Sequence, residues 1–156
     1  MKKYLMLVAL VSIASQAQSV SNLVLSTETA QQLVSEGLKQ CAKDGYHVTV
    51  AVVDRSGVLK ALARDELAGP HTIESARKKA FTSASMGVVT ADMANNIADK
   101  PALSGLRDMH PDILLLGGGV PVRIDDQLVA GIGVGGAPGG HLDQACAEAA
   151  VKAVLK

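Results

Sequence analysis

The chain has 156 residues, with 15 lysines and arginines against 15 aspartates and glutamates, so its formal net charge is zero. Only 2% of it is aromatic, and tryptophan is absent. A neutral, aromatic-poor chain lacks the basic stripe and stacking faces that hold nucleic acid, which excludes that class of partner.

The first residues read as a leader. Lys2 and Lys3 precede an apolar run from Tyr4 to Ala14, and small residues follow at Ser15-Gln16-Ala17. This is the pattern of a secretory signal peptide over residues 1–17. The run is well short of the ~20 residues that cross a bilayer, so no membrane span is expected once the leader is removed. Cleavage after Ala17 leaves a short N-terminal segment, 18–25, and a single domain, 26–156. The lysine-rich start and short apolar core look bacterial, which implies a periplasmic or secreted protein.

Ser26 or Thr27 caps a helix to about Lys43, with Leu33, Val34, Leu38 and Cys41 as its apolar face. Val48 to Val53 is a run of consecutive apolar residues, the mark of a strand covered on both faces. Asp54-Arg55-Ser56-Gly57 turns it back into Val58 to Ala63. Thr72 caps a helix to about Gly87, and Thr90 caps a shorter one to about Lys100. Leu103 to Asp112 is irregular, and Ile113 to Leu116 is expected as an edge strand. Val120 to Ile124 and Leu128 to Val134 form a second hairpin about the polar turn Asp125-Asp126-Gln127. A last helix begins near His141. Helix, hairpin, helices, strands, helix is neither alternating nor all-β, and it predicts an α+β fold with helices against an antiparallel sheet.

Gly131-Ile132-Gly133-Val134-Gly135-Gly136 matches G-x-G-x-x-G, but only one helix follows it. A dinucleotide site needs a further strand and an acidic residue, so NAD is rejected. Two readings of these glycines remain. They let the hairpin pack closely on the last helix, or they cradle a carboxylate with bare N–H groups at a helix N-terminus. Four histidines are available. His47 at a strand start reads as structural or solvated, and His110 as part of a surface loop. His71, after Gly69-Pro70, and His141, in the glycine loop, rank first as ligands or acid/base groups. Thr72, Ala76 and Lys79 share one helical face. Arg64 and Lys79 are candidate partners for an anion, unless Lys79 pairs with Asp65 or Glu66 and fixes the loop. Cys41 and Cys146 each lie on an apolar helix face. They are buried thiols or, in an oxidising compartment, a disulfide. They lack the close spacing of zinc ligands, so zinc is not expected.

Several of these stretches together resemble the GlcG/HbpS family of haem-binding-type domains. They are VTVAVVDRSGVLKALARDE over 48–66, then Thr72, Ala76, Lys79, Ala80 and Thr82 on the next helix. GGGVPV, LVAGIGVGGA and Asp143 with its alanine-rich helix complete the set. The likeness runs from Ser26 to the C-terminus. It departs from the family at Leu67 and over 96–111. The resemblance implies a profilin-like fold, with a central antiparallel sheet of about five strands between the terminal helices and a middle helical pair. It also implies assembly into homo-oligomers, and haem as the suspected cofactor. In such an arrangement the first and last helices lie side by side, which would join Cys41 to Cys146. His71 and His141 are then the candidates for haem iron. Arg64, Thr72, Lys79, Gly135 and Gly136 are the candidates for the rest of a ligand site. The scarcity of aromatics counts against haem. The alternatives are an enzyme or binding protein for a small carboxylated metabolite, with no catalytic residue assignable, and a structural oligomer with a protein partner.

Overall fold

The structure, a computed structural model, describes residues 22–155. The expected leader lies outside the described residues. Ser26 caps the first helix, α1 (Thr27–Lys43), by accepting the Thr29 N–H. The first hairpin is β1 (Thr49–Asp54) and β2 (Leu59–Arg64). In its turn the Asp54 carboxylate accepts the N–H groups of Ser56 and Val58. Two helices follow, α2 (Thr72–Met86) and α3 (Thr90–Asp99), then a 3₁₀ turn over Pro101–Arg107. The second hairpin is β3 (Gly119–Ile124) and β4 (Gln127–Gly135), and α4 (Gly140–Val154) ends the fold.

The sheet is antiparallel, in the order β2-β1-β4-β3. Successive side chains of β1 point to opposite faces. Val50 and Val52 join the core under α1 and α4, while Ala51 and Val53 join the core under α2. The sheet is therefore covered on both faces, as the continuous apolar run of β1 requires. Cys41 of α1 and Cys146 of α4 are bonded on the first face, with their Cα atoms 5.4 Å apart. Among the described residues no helix is long and apolar enough to cross a membrane.

Four expectations change. The sheet has four strands, not five. Ile113 and Leu115 are buried as an edge strand's would be, but hydroxyls satisfy the backbone of that segment. Leu114 N–H donates to Thr82 Oγ1, and Thr90 Oγ1 donates to the Leu116 carbonyl. Thr72 and Thr90 stand inside their helices, not at the caps, because their hydroxyls are turned to these tertiary bonds. Part of the irregular stretch after Leu103 is the 3₁₀ turn. Finally, the β4 glycines pack against α2, not the last helix. A Cβ at Gly131 would run into the Ala80 carbonyl, and one at Gly133 into that of Ala76. Residues 131, 133 and 135 share one face by the two-residue period, and that face is the one α2 covers.

Candidate functional site

One end of the sheet collects nearly all of the candidate residues. Thr49 stands opposite Arg64 on one side and Gly135 on the other. Its hydroxyl bonds that of Thr72 at 2.7 Å, which seats the first turn of α2 over the row. Arg64, Thr72 and Gly135 are thus neighbours. The Arg64 guanidinium donates to the carbonyls of Ala68 and Glu66 and folds the 65–71 loop around itself. His71 heads α2 as its exposed N-cap residue, and its ring lies over Gly69, where a Cβ would come 2.6 Å from Cε1. His141 repeats this at the start of α4, with its ring over Gly139. The two helices cover opposite faces of the sheet, so these rings flank the end of β4 from its two sides. Leu67 and Ile73, on either side of His71 in the chain, are 74% and 36% exposed.

Lys79 does not face a ligand. Its ammonium is buried, 2.8 Å from an Asp143 carboxylate oxygen and 3.0 Å from the Val134 carbonyl. Asp143 accepts the Ala137 N–H at 3.0 Å through its other oxygen, and the nearby Gly136 N–H also favours its charged form. The convergence expected around a ligand's carboxylate is therefore made with the chain's own carboxylate. Lys79 starts on the α2 face and Asp143 on the α4 face, and they meet just before β3 begins. Gly118 leaves that passage open. A Cβ there would lie 2.7 Å from the Asp143 Cβ and 3.0 Å from Lys79 Nζ. Burial pushes the Asp143 carboxyl up from its ordinary value, against the opposing pull of Lys79 and the two N–H groups. Lys79 and Asp143 lie 64 positions apart, so nothing local in the sequence links them; an aspartate entering an alanine-rich helix was the available hint.

The other two histidines are held by hydrogen bonds. His110 stacks on Phe81 and accepts the Asp112 N–H through Nδ1. His47 lies 2.8 Å from Asp65 through its Nδ1, at the entrance of β1. Asp65 also accepts the Leu67 N–H, and mainly for that reason its carboxyl is held below its ordinary value. Reading His47 as a solvated strand-start residue missed this contact. The hairpin register carries the signal, since it sets the residue after Arg64 beside the residues before Thr49. Among the described residues no group of three or more metal-ligating side chains converges.

A small α+β domain, helices on both faces and three histidine-bearing loops at one sheet end, is a recognisable class. Residues 25–152 match the family model for haem-degrading, HbpS-like proteins. The chain belongs to that family. It is 29% identical over 121 residues to the protein GlcG of Escherichia coli K12, covering 73% of this chain and 83% of that protein. Its fold is similar to the crystal structure of a double mutant of HbpS from Streptomyces reticuli. The TM-score is 0.82 and the identity 39%, over 95% of this chain and 99% of that one. A complex of PduOC with haem is similar at a TM-score of 0.77 and 26% identity, over 84% of this chain and 95% of that one.

Proposed function

We propose that this protein binds haem or a related tetrapyrrole at the sheet end that carries the 65–71 loop and the glycine loop. The observation that carries this reading is the exposed His71 imidazole at the head of α2, flanked in the chain by the exposed apolar residues Leu67 and Ile73. Haem brings an iron that takes imidazole, a flat apolar ring and two carboxylates. The donor set fits those three needs. Imidazoles are at hand on the loops of His71 and His141 and at the entrance of β1, and Leu67 and Ile73 are apolar cover. Arg64, exposed and bonded to its loop through Nη1, suits a carboxylate; Thr72 is buried with its hydroxyl bonded to Thr49 and Gly69 and takes no part. Membership in an HbpS-like family and the likeness to a haem complex support the same ligand. A site for a small carboxylated metabolite is the weaker reading, because Asp143 already holds Lys79 and the Ala137 N–H.

The leader motif supports a periplasmic or secreted location, with haem uptake, storage or sensing as the role. Homo-oligomer formation is part of the proposal, and light scattering that returns the monomer mass at micromolar concentration would remove it. The test of function is titration of hemin into residues 18–156. A saturable Soret shift is expected. A spectrum that remains that of free hemin would refute the proposal.

A further inference from the structure

The four histidines differ in what their second ring nitrogen is free to do. An ionised carboxylate only accepts hydrogen bonds. Asp65 Oδ1 accepts the Leu67 N–H at 2.9 Å and lies 2.8 Å from His47 Nδ1, and an aspartate side chain is ordinarily ionised at neutral pH. The hydrogen between it and His47 therefore sits on Nδ1. Neutral His47 then carries its lone pair on Nε2, on a ring that is 48% exposed. His110 is arranged the other way round. Its Nδ1 accepts a backbone N–H, so its Nε2 bears the hydrogen. His71 and His141 have no hydrogen bond to either ring nitrogen among the described residues, so nothing fixes their tautomer.

We propose that His47, oriented by Asp65, is the side chain that takes the iron of haem at this end of the sheet. Metal-ligating histidines characteristically donate their other N–H to a carboxylate, which fixes the ring and raises its basicity. His47 is the histidine of this chain with that arrangement. It also stands between the two loops of the site. The exposed Leu67 is bonded to the same carboxylate, and Gly136 lies against the His47 backbone, where a Cβ would come 2.6 Å from the His47 carbonyl oxygen. Asp65 is a positioning residue. It bonds the His47 imidazole and would act on the iron only through it. The assignment rests on the haem reading above and names the ligand that reading leaves open.

Hemin is titrated into the wild-type protein, His47→Ala, Asp65→Asn, and a His71→Ala, His141→Ala double variant, with thermal melts to establish folding. His47→Ala is expected to lose the imidazole-type Soret band and to bind at least about tenfold more weakly. Asp65→Asn is expected to bind about tenfold more weakly and to shift the iron midpoint potential positive, because the ligand becomes less basic. The double variant is expected to bind hemin more weakly, because it loses side chains of the two loops, yet to keep the imidazole-type Soret band. In the ligand-free protein, nitrogen NMR is expected to show His47 protonated at Nδ1 alone, and a mixture of tautomers in Asp65→Asn. An unchanged spectrum and affinity in His47→Ala, or a His47 protonated at Nε2, overturns the assignment and leaves haem binding intact. A wild-type protein that does not bind hemin overturns both.

Discussion

Two hydrogen-bonded side-chain pairs stand at the same end of the sheet and do opposite things. Lys79 and Asp143 are sealed, each side chain 4% exposed. They bind each other, the Val134 carbonyl and the Ala137 N–H. His47 and Asp65 are open, at 48% and 27% exposure, and leave one imidazole nitrogen without a hydrogen bond among the described residues. The sealed pair spends its bonding capacity on holding α2, α4 and the end of β4 together. The open pair orders a side chain without consuming it. The difference is one of position: Lys79 and Asp143 meet inside the passage at Gly118, whereas His47 and Asp65 meet at the mouth of a hairpin.

The largest effect expected from this contrast is on stability. Removing one member of a buried pair leaves an uncompensated charge and costs about 3–5 kcal/mol. Asp143→Asn and Lys79→Met should each lower the urea midpoint accordingly. The double replacement Lys79→Met, Asp143→Leu should recover much of the loss, since a well-packed apolar pair often does as well. A double variant as unstable as the sum of the singles would contradict the sealed reading. The His47→Ala change should stay within about 0.5 kcal/mol of wild type, as exposed substitutions do.

The disulfide belongs to the sealed half and should rank next. Cys41 and Cys146 close a loop with a sequence separation of 105, and loss of such a link costs about 2–5 kcal/mol. The non-reduced mature protein should weigh two hydrogens less than its composition requires. A Cys41→Ser, Cys146→Ser variant should melt lower yet still present His47. A free-thiol assay that finds two reactive cysteines in the untreated native protein would exclude the bond.

The smallest effect is the response to acid, and it sharpens the contrast from the open side. Asp65 is held low by the Leu67 N–H and then His47, and Asp112 chiefly by its bond to Arg77. A carboxyl lowered by folding contributes stability above its ordinary range, and that contribution is lost as pH falls through its folded value. Stability should therefore decline on acidification, and Asp65→Asn and Asp112→Asn should each flatten that decline. Asp143, raised by burial, has the opposite sign: its contribution decreases as pH rises from the ordinary carboxyl value to the raised one. An acid slope that neither substitution alters would show that these carboxyls are not the groups responsible.

Much of the fold was legible because it is written in local patterns. Ser26 and the 3.6-residue period give α1; the turns at Asp54 and Asp125 give the two hairpins. What was illegible depends on partners far along the chain. Ile113 to Leu116 has the apolar content of an edge strand, and only the Thr82 and Thr90 hydroxyls, contributed by α2 and α3, explain why it is none. The parity of Gly131, Gly133 and Gly135 shows that they share a face, but not which helix covers it. For the site, sequence reasoning brought Arg64, Thr72, His71, Gly135 and the glycine loop to one sheet end. It assigned Lys79 to a ligand because Asp143, from the last helix, was not counted as its partner. It ranked His47 low because a strand-start histidine looks solvated until Asp65 is seen beside it.

The proposal is one of place: the ligand is expected at the open end of the sheet, not at the Asp54–Gly57 turn or in the cavity of about 530 Å³ between α1 and β2, lined by Val34, Leu38 and Leu62. Amide chemical-shift mapping with gallium protoporphyrin IX, a diamagnetic stand-in for hemin, addresses it directly. The predicted result is a cluster of shifted amides at 46–49, 64–75 and 135–142, with α1 from Gln31 to Leu38 and β2 from Lys60 to Ala63 unmoved. Shifts concentrated on that α1–β2 cavity, with the His47 and His71 loops silent, would contradict the account.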